Sequence, residues 1–193
     1  DLFLSWGWES KRNVKAICNF KGINKSSSWS PKGTAILITA VYPRYSYWLS
    51  SVPKSSQYLD YFEDQCYFVE QLPKAIQEEL IIRLYQHDPD WCHETRWRDR
   101  FPHLSLDRST SPFHSQLPKS RLTIHPYNST IFLETLTLNI PAIIFFNQQY
   151  FELREEAQPF FSILKEARIF HEEPTDAAEF IKEIWAEVGD WWY

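Results

Sequence analysis

Thr34-Ala-Ile-Leu-Ile-Thr-Ala40 is a continuous apolar run of strand length. A strand with one wet face alternates apolar and polar residues. A run like this one suits a strand buried on both faces, as in a parallel sheet. Similar runs recur downstream at Leu80 to Tyr85, Leu122-Thr-Ile-His125 and Pro141-Ala-Ile-Ile-Phe-Phe146. Helical patterns lie between them. Tyr58, Leu59, Phe62, Cys66 and Val69 fall on one face at helical spacing, with Ser55-Ser56 as a predicted cap and Pro73 as a stop. Asn128 to Leu138 reads as a helix ending at Asn139, with Pro141 beyond. Asp90 to Phe101, Glu155 to Arg168 and Pro174 to Val188 are predicted helical, and Pro112 to Ser120 weakly so. Short strands are predicted at Leu2 to Trp6, Val14 to Phe20 and Arg168 to His171. Strands alternating with amphipathic helices predict an α/β fold, a mostly parallel sheet flanked by helices.

Composition narrows the function classes. The chain has 193 residues, 44% hydrophobic and 23% charged, an ordinary globular balance for one sizeable domain. No run approaches the roughly 18 apolar residues of a membrane-spanning helix. Lys plus Arg is 20 against 25 for Asp plus Glu, so the basic surplus of a nucleic-acid binder is missing and no nucleic-acid partner is expected. Glycine numbers only 4, which leaves no Gly-rich phosphate loop. Cys18, Cys66 and Cys92 are odd in number and widely spaced, so buried, reduced thiols in a cytoplasmic protein are expected. The sequons at Asn24 and Asn128 are taken as chance. The chain holds no Met and opens at Asp1 in what reads as mid-strand, which predicts a fragment of a longer protein.

In open parallel sheets, ligands bind beyond the carboxyl ends of the strands. Four post-strand stretches therefore matter. After Leu122 to His125 comes Pro126-Tyr127-Asn128-Ser129-Thr130, opening directly into a helix. Free N–H groups and the positive dipole end suit an anion there, and Asn, Ser and Thr add side-chain donors. Glu134, within the first two turns, can accept from ribose or sugar hydroxyls. The plainer alternative is that Asn128 or Ser129 is only a cap. After the Thr34 run, Pro43-Arg44-Tyr45-Ser46-Tyr47-Trp48 suits phosphate pairing and ring stacking, or is simply a packed aromatic loop. Arg83 is a charge inside an apolar run and needs a partner, either a ligand phosphate or a carboxylate. Asn147 to Arg154 follows the Pro141 run. There Glu152 and Arg154 can meet a ligand, each other or a neighbour. Asp88-Pro89-Asp90 fits a metal-diphosphate site or, more plainly, a helix cap. The six histidines show no ligand spacing, so no metal site is expected.

Several strings in order resemble one family. They are Trp6-Gly7-Trp8, Pro43 to Tyr47, Arg83-Leu84-Tyr85 with Asp90-Trp91, and Tyr127-Asn128-Ser129-Thr130 through Phe132-Leu133-Glu134. Asn139-Ile140-Pro141, Ile143-Ile144-Phe145, Glu152-Leu153-Arg154 and Trp191-Trp192 complete the set. Together they resemble transferases associated with bacterial surface-polysaccharide (O-antigen or capsule) biosynthesis. The resemblance spans nearly the whole chain. It implies the C-terminal, donor-side half of a GT-B glycosyltransferase, a Rossmann-like sheet facing a cleft. Residues 1–193 would then be one donor-binding domain, with 1–33 an inter-domain strand and linker. The implied partners are a nucleotide-sugar donor and a glycan acceptor held by the other half, where a catalytic base would also lie. The implied donor contacts are Arg44, Tyr47, Arg83, Tyr127, Asn128, Ser129, Thr130, Glu134, Asn147, Glu152 and Arg154. No cofactor or divalent metal is expected, and peripheral association with the inner membrane face fits the pathway. Two rival classes remain: a non-catalytic glycan- or protein-binding domain, and a nucleotide-sugar epimerase or hydrolase on the same fold.

Overall fold

The computed structural model describes residues 2–5, 7, 9, 12–17, 27–45 and 55–193. Two short strands, β1 (Phe3–Ser5) and β2 (Val14–Ala16), pair parallel as a small separate sheet. The main sheet holds β3 (Thr34–Ile38), β4 (Leu80–Arg83), β5 (Ser105–Asp107), β6 (Ser120–His125), β7 (Ala142–Phe145) and β8 (Phe170–His171). Its order is β5-β4-β3-β6-β7-β8, and every pairing is parallel. The chain thus builds outward from β3 to β5, returns to the centre, and builds outward again from β6 to β8. That is the Rossmann-like order, and the α/β expectation holds.

Right-handed crossovers follow from this order. Helices joining β3, β4 and β5 cover one face: α1 (Tyr58–Gln71), the short α2 (Lys74–Glu78) and α3 (His93–Arg100). Helices joining β6, β7 and β8 cover the other: α4 (Thr130–Thr137) and α5 (Gln158–Glu166). After β8, α6 (Pro174–Ile184) packs beside α1, and α7 (Val188–Trp192) closes the described chain. Both faces are dry. Ala35, Leu37, Leu122, Ile124, Ile143 and Ile144 are each wholly buried, and each large aliphatic side chain among them contributes about 1.5–3 kcal/mol. Aromatic rings fill the layers. Phe68 of α1 stacks on Phe145 of β7 at 4.8 Å, and Phe161 meets Phe132, Phe146 and Phe170 at 5.1–6.2 Å on the opposite face.

Several local expectations change. Ser55–Gln57 form a 3-10 turn, and Gln57, not a serine, precedes α1 without a side-chain cap bond. Leu59 lies off the buried stripe, which runs through Tyr58, Tyr61, Phe62, Gln65, Cys66 and Val69. The weak helix at 112–120 is two 3-10 turns, Phe113–Ser115 and Leu117–Lys119. Strand β5 has no counterpart in the sequence reading. The end of α4 is as expected. Asn139 sits in the left-handed region (φ 54°), and the bonds Ile140 N–H to Thr135 O (3.0 Å) and Asn139 N–H to Leu136 O (3.0 Å) close a Schellman motif. Cys66 is buried, but Cys92 is exposed, against the expectation of buried thiols. Cys18 and Asn24 lie outside the described residues.

Gly33 admits β3 to the sheet. A Cβ there would lie 2.2 Å from the Lys119 carbonyl oxygen, where the chain enters β6 and the β3–β6 register shifts by a residue. No helix among the described residues is long and apolar enough to cross a membrane.

Candidate functional site

The strand order reverses between β3 and β6. Loops leaving the carboxyl ends of these two strands turn to opposite faces, so a crevice opens between them. The turn after β6 borders it. Ser129 has extended backbone (φ −145°, ψ 171°), and its hydroxyl accepts from the Ile131 N–H at 3.3 Å. Ser129 is therefore the N-cap of α4, and the capping reading holds for that residue. Asn128 and Thr130 on either side are exposed, while Tyr127 is half-buried. Burial holds the Tyr127 phenol above its ordinary pKa, against a hydrogen bond from Ser129.

The segment after β7 faces this turn. Asn147 spends its side chain locally, its Oδ1 accepting from the Gln149 N–H at 2.8 Å. The chain then folds back so that Phe151, Glu152, Leu153 and Arg154 line an open cleft of about 490 Å³ with Asn128. Phe151 and Leu153 are buried and anchor the segment, while Glu152 and Arg154 alternate outward. Neither Glu152 nor Arg154 has an ion-pair partner among the described residues. Three predicted site residues, Asn128, Glu152 and Arg154, thus share one cleft with the start of α4.

The other predicted residues are placed differently. Arg83 is buried and paired with Asp107 of β5, its strand-register partner. Its second terminal nitrogen donates to the Ser111 carbonyl at 2.7 Å. Of the two partners open to it, the structure shows the carboxylate. Arg44 is exposed and bridges two post-strand loops. Its N–H donates to the Pro89 carbonyl and its Nη1 to the Asp90 carbonyl, each at 3.3 Å, and its guanidinium lies 5.4 Å from the Trp91 ring. Tyr47 lies outside the described residues.

Asp88 takes the plainer of its two roles. Its carboxylate accepts from the N–H groups of Trp91 (2.8 Å) and His93 (2.9 Å), capping the start of α3. The turn it ties together is strained, because Asp90 (φ 69°) and Cys92 (φ 52°) both adopt the left-handed region. Trp91 between them is buried, stacked on Tyr58 at 4.2 Å with its Nε1 donating to the Tyr42 carbonyl at 2.7 Å. Among the described residues no group of three or more His, Cys, Asp or Glu side chains is arranged to hold a metal ion.

One contact had no signal in the sequence. Glu134 is 10% exposed at its side chain, and its Oε2 lies 3.4 Å from Nε2 of His114. His114 sits twenty positions upstream in a 3-10 turn of the β5–β6 connection, and only the fold brings the two together. Behind them His125, the last residue of β6, is wholly buried. Its Nε2 lies 3.1 Å from Thr123 Oγ1 and 3.4 Å from Thr135 Oγ1, and burial pushes its pKa down to about 3. The ring is neutral and ties β6 to α4 directly behind the cleft.

Over residues 1–193 the chain matches the protein-family model described as LIC12162 family transferase. No curated protein matches it.

Proposed function

From its membership of the LIC12162 family of transferases, to which the chain belongs, we propose that this domain binds a nucleotide-activated sugar donor for transfer to a surface polysaccharide, as the donor half of a GT-B glycosyltransferase. The observation that carries this is the cleft between the loops that follow β6 and β7. It combines an exposed Arg154 that has no carboxylate partner among the described residues with Asn128 and the N-terminus of α4. Those are the elements that hold a diphosphate: a guanidinium fork, a side-chain amide and free backbone N–H groups under a positive dipole. Glu134, in the second turn of the same helix, suits the ribose hydroxyls.

In the reaction, the bond between the sugar anomeric carbon and the diphosphate oxygen breaks. A new bond forms to an acceptor hydroxyl, whose proton leaves to a base. The work of this chain falls on the departing diphosphate, whose growing negative charge Arg154 and the α4 terminus stabilise without a metal. Arg83 serves the site by fixing the loops after β4 and β5. Arg44 joins the loops after β3 and β4. Donor specificity then rests on Glu152, Asn128 and the aromatic residues of these loops.

The test is a calorimetric titration with UDP, GDP, CDP, ADP and dTDP, with and without magnesium. One nucleotide is expected to bind, and to raise the melting temperature in proportion to its affinity. Arg154→Ala and Asn128→Ala are expected to weaken it about tenfold or more at unchanged melting temperature. Ser129→Ala removes a cap and is expected to cost about 1 kcal/mol of stability. Oligosaccharide binding with no nucleotide binding would refute the donor reading in favour of a glycan-binding module.

A further inference from the structure

Three phenols gather where the strand order reverses. Tyr42 follows β3 and Tyr127 follows β6, the adjacent strands between which the order turns back. Tyr61 of α1 stands with them. Its hydroxyl accepts from the Ala40 N–H at 2.8 Å. Its ring meets Tyr42 edge-on at 6.2 Å and, also at 6.2 Å, Phe151 of the neighbouring cleft wall. Trp91 fixes the Tyr42 backbone, its Nε1 donating to the carbonyl at 2.7 Å. All three hydroxyls lie within electrostatic reach of one another. Each phenol has one proton to give. Among the described residues the Tyr42 hydroxyl has no hydrogen-bond partner, and the Tyr61 hydroxyl has no acceptor for its own proton. Tyr127 takes a bond from Ser129, which leaves its proton to give as well. Burial holds all three above the ordinary phenol value, so they remain donors at neutral pH. Polar groups at such depth are normally paired, and these lack an acceptor.

Resting on the donor reading above, we infer that the phenols of Tyr42 and Tyr127, backed by Tyr61, donate to one phosphoryl group of the bound diphosphate, while Arg154 and Asn128 hold the other. Charge on both sides of the phenols favours an anion as the acceptor. Arg44, two residues past Tyr42, is exposed and has no carboxylate partner among the described residues. Two residues past Tyr127, Ser129 begins α4, whose N-terminus carries positive dipole charge. Glu134 acts on the Tyr127 phenol from further along the same helix, which places the anion on the Tyr42 side, away from that carboxylate. Phe151 joins the two positions, since it lines the cleft of Asn128 and Arg154 and packs on Tyr61. As the diphosphate departs, negative charge grows on its phosphoryl oxygens. Tyr42 and Tyr61 are already fixed through Trp91 and Ala40, so little reorganisation is needed to meet that charge.

The experiment is calorimetry on the parent, Tyr42→Phe, Tyr127→Phe and Arg154→Ala. Each is titrated with the nucleoside diphosphate that the parent binds, with the matching monophosphate and with inorganic pyrophosphate. Tyr42→Phe removes one oxygen and keeps the ring packed on Tyr61. It is expected to weaken the diphosphate about tenfold or more, the worth of a hydrogen bond to a charged group. Tyr127→Phe is expected to follow it, and Tyr42→Phe carries the test alone should that variant not fold. A monophosphate fills one of the two phosphoryl positions. Tyr42→Phe and Arg154→Ala are therefore expected to part, one weakening the monophosphate and the other leaving it unchanged. Tyrosines that merely pack would alter the melting temperature and leave every affinity alone. That result overturns the inference while the donor reading stands, and so does an equal loss of mono- and diphosphate in both variants. Should the parent bind pyrophosphate and no nucleotide, the donor reading falls; a tenfold loss in Tyr42→Phe then keeps the phenol site, and no loss removes it. Binding of neither overturns both.

Discussion

Asp107→Ala is the perturbation that most directly tests how the site is framed. Asp107 and Arg83 face each other in register on β5 and β4, with side chains only 16% and 8% exposed. Asp107 also accepts from Gln116 Nε2 at 2.6 Å and from the Ser109 N–H at 2.9 Å, so it knits the loop after β5 to the sheet. Removing it strands a buried guanidinium, which costs about 3–5 kcal/mol in comparable pairs. Arg83 would keep its bond to the Ser111 carbonyl and its place 5.9 Å from the Phe113 ring. The expected loss is therefore at the lower end, about 3 kcal/mol. For a chain of this size that is a fall of roughly 6–12 °C in melting temperature. Arg83→Met removes the charge itself and leaves Asp107 its two other donors, so its cost is expected to be smaller, about 1–2 kcal/mol. The paired replacement Arg83→Met with Asp107→Ala is expected to be more stable than Asp107→Ala alone. Urea and thermal unfolding of the four proteins complete a double-mutant cycle. Additive single effects, or a cost under about 1 kcal/mol for Asp107→Ala, would refute the view that Arg83 is held by the fold.

Gly33→Ala places a Cβ 2.2 Å from a backbone oxygen that cannot step aside. It is expected to cost about 2–4 kcal/mol, by analogy with overpacked cores, and a melt within 1 °C of the parent would sink that account. Asp64 on α1 has its pKa raised from 3.8 to about 6, first by burial and then by Glu173 and Asp60. The folded chain thus holds a proton between about pH 4 and 6 that the unfolded chain releases, and stability falls as pH rises through that window. Asp64→Asn is expected to gain about 1 kcal/mol at pH 7, a value reduced for the solvent that still reaches the carboxylate, and to gain nothing at pH 4. His125 acts in the opposite sense. Its folded-state pKa of about 3 lies below the unfolded 6.5, so stability is present above pH 6.5 and is lost on acidification, by up to about 1.4 kcal/mol per pH unit. Denaturation profiles of His125→Asn and Asp64→Asn from pH 4 to 7 should flatten opposite slopes, and parallel profiles would contradict both assignments.

The fold was readable where burial is two-sided or turn chemistry is strong. The Thr34 and Pro141 runs are almost wholly apolar, and Leu122 and Ile124 alternate with the buried Thr123 and His125, because helices cover both faces of these strands, which are central in the sheet. Asn139 announced its left-handed conformation, since asparagine enters that region at low cost. Arg168 closes α5 in the same conformation (φ 58°), with the bonds Ile169 N–H to Leu164 O and Arg168 N–H to Lys165 O. Arginine carries no such preference, and the sequence offers no sign of it. Ser55–Ser56 misled for a related reason. Serine favours a cap, but a 3-10 turn carries the chain into α1 before a cap is needed.

The candidate site divides along the same line. What depends on one strand and the turn after it was visible: the Asn128–Thr130 helix start, and the place of Glu152 and Arg154 on the segment that follows β7. What depends on neighbours across the sheet was not. Strand β5 is three residues at an edge, half exposed, with no period to detect. Because β5 was unseen, the partner of Arg83 stayed open between a phosphate and a carboxylate. The register that sets Arg83 opposite Asp107 closes that question, so the missing strand and the open pairing are one gap. The same crossover from β5 to β6 then carries His114 to Glu134. A long connection with two 3-10 turns reads as filler along the chain. In the fold it runs from the sheet edge to the point where the strand order reverses, and it sets His114 beside Glu134.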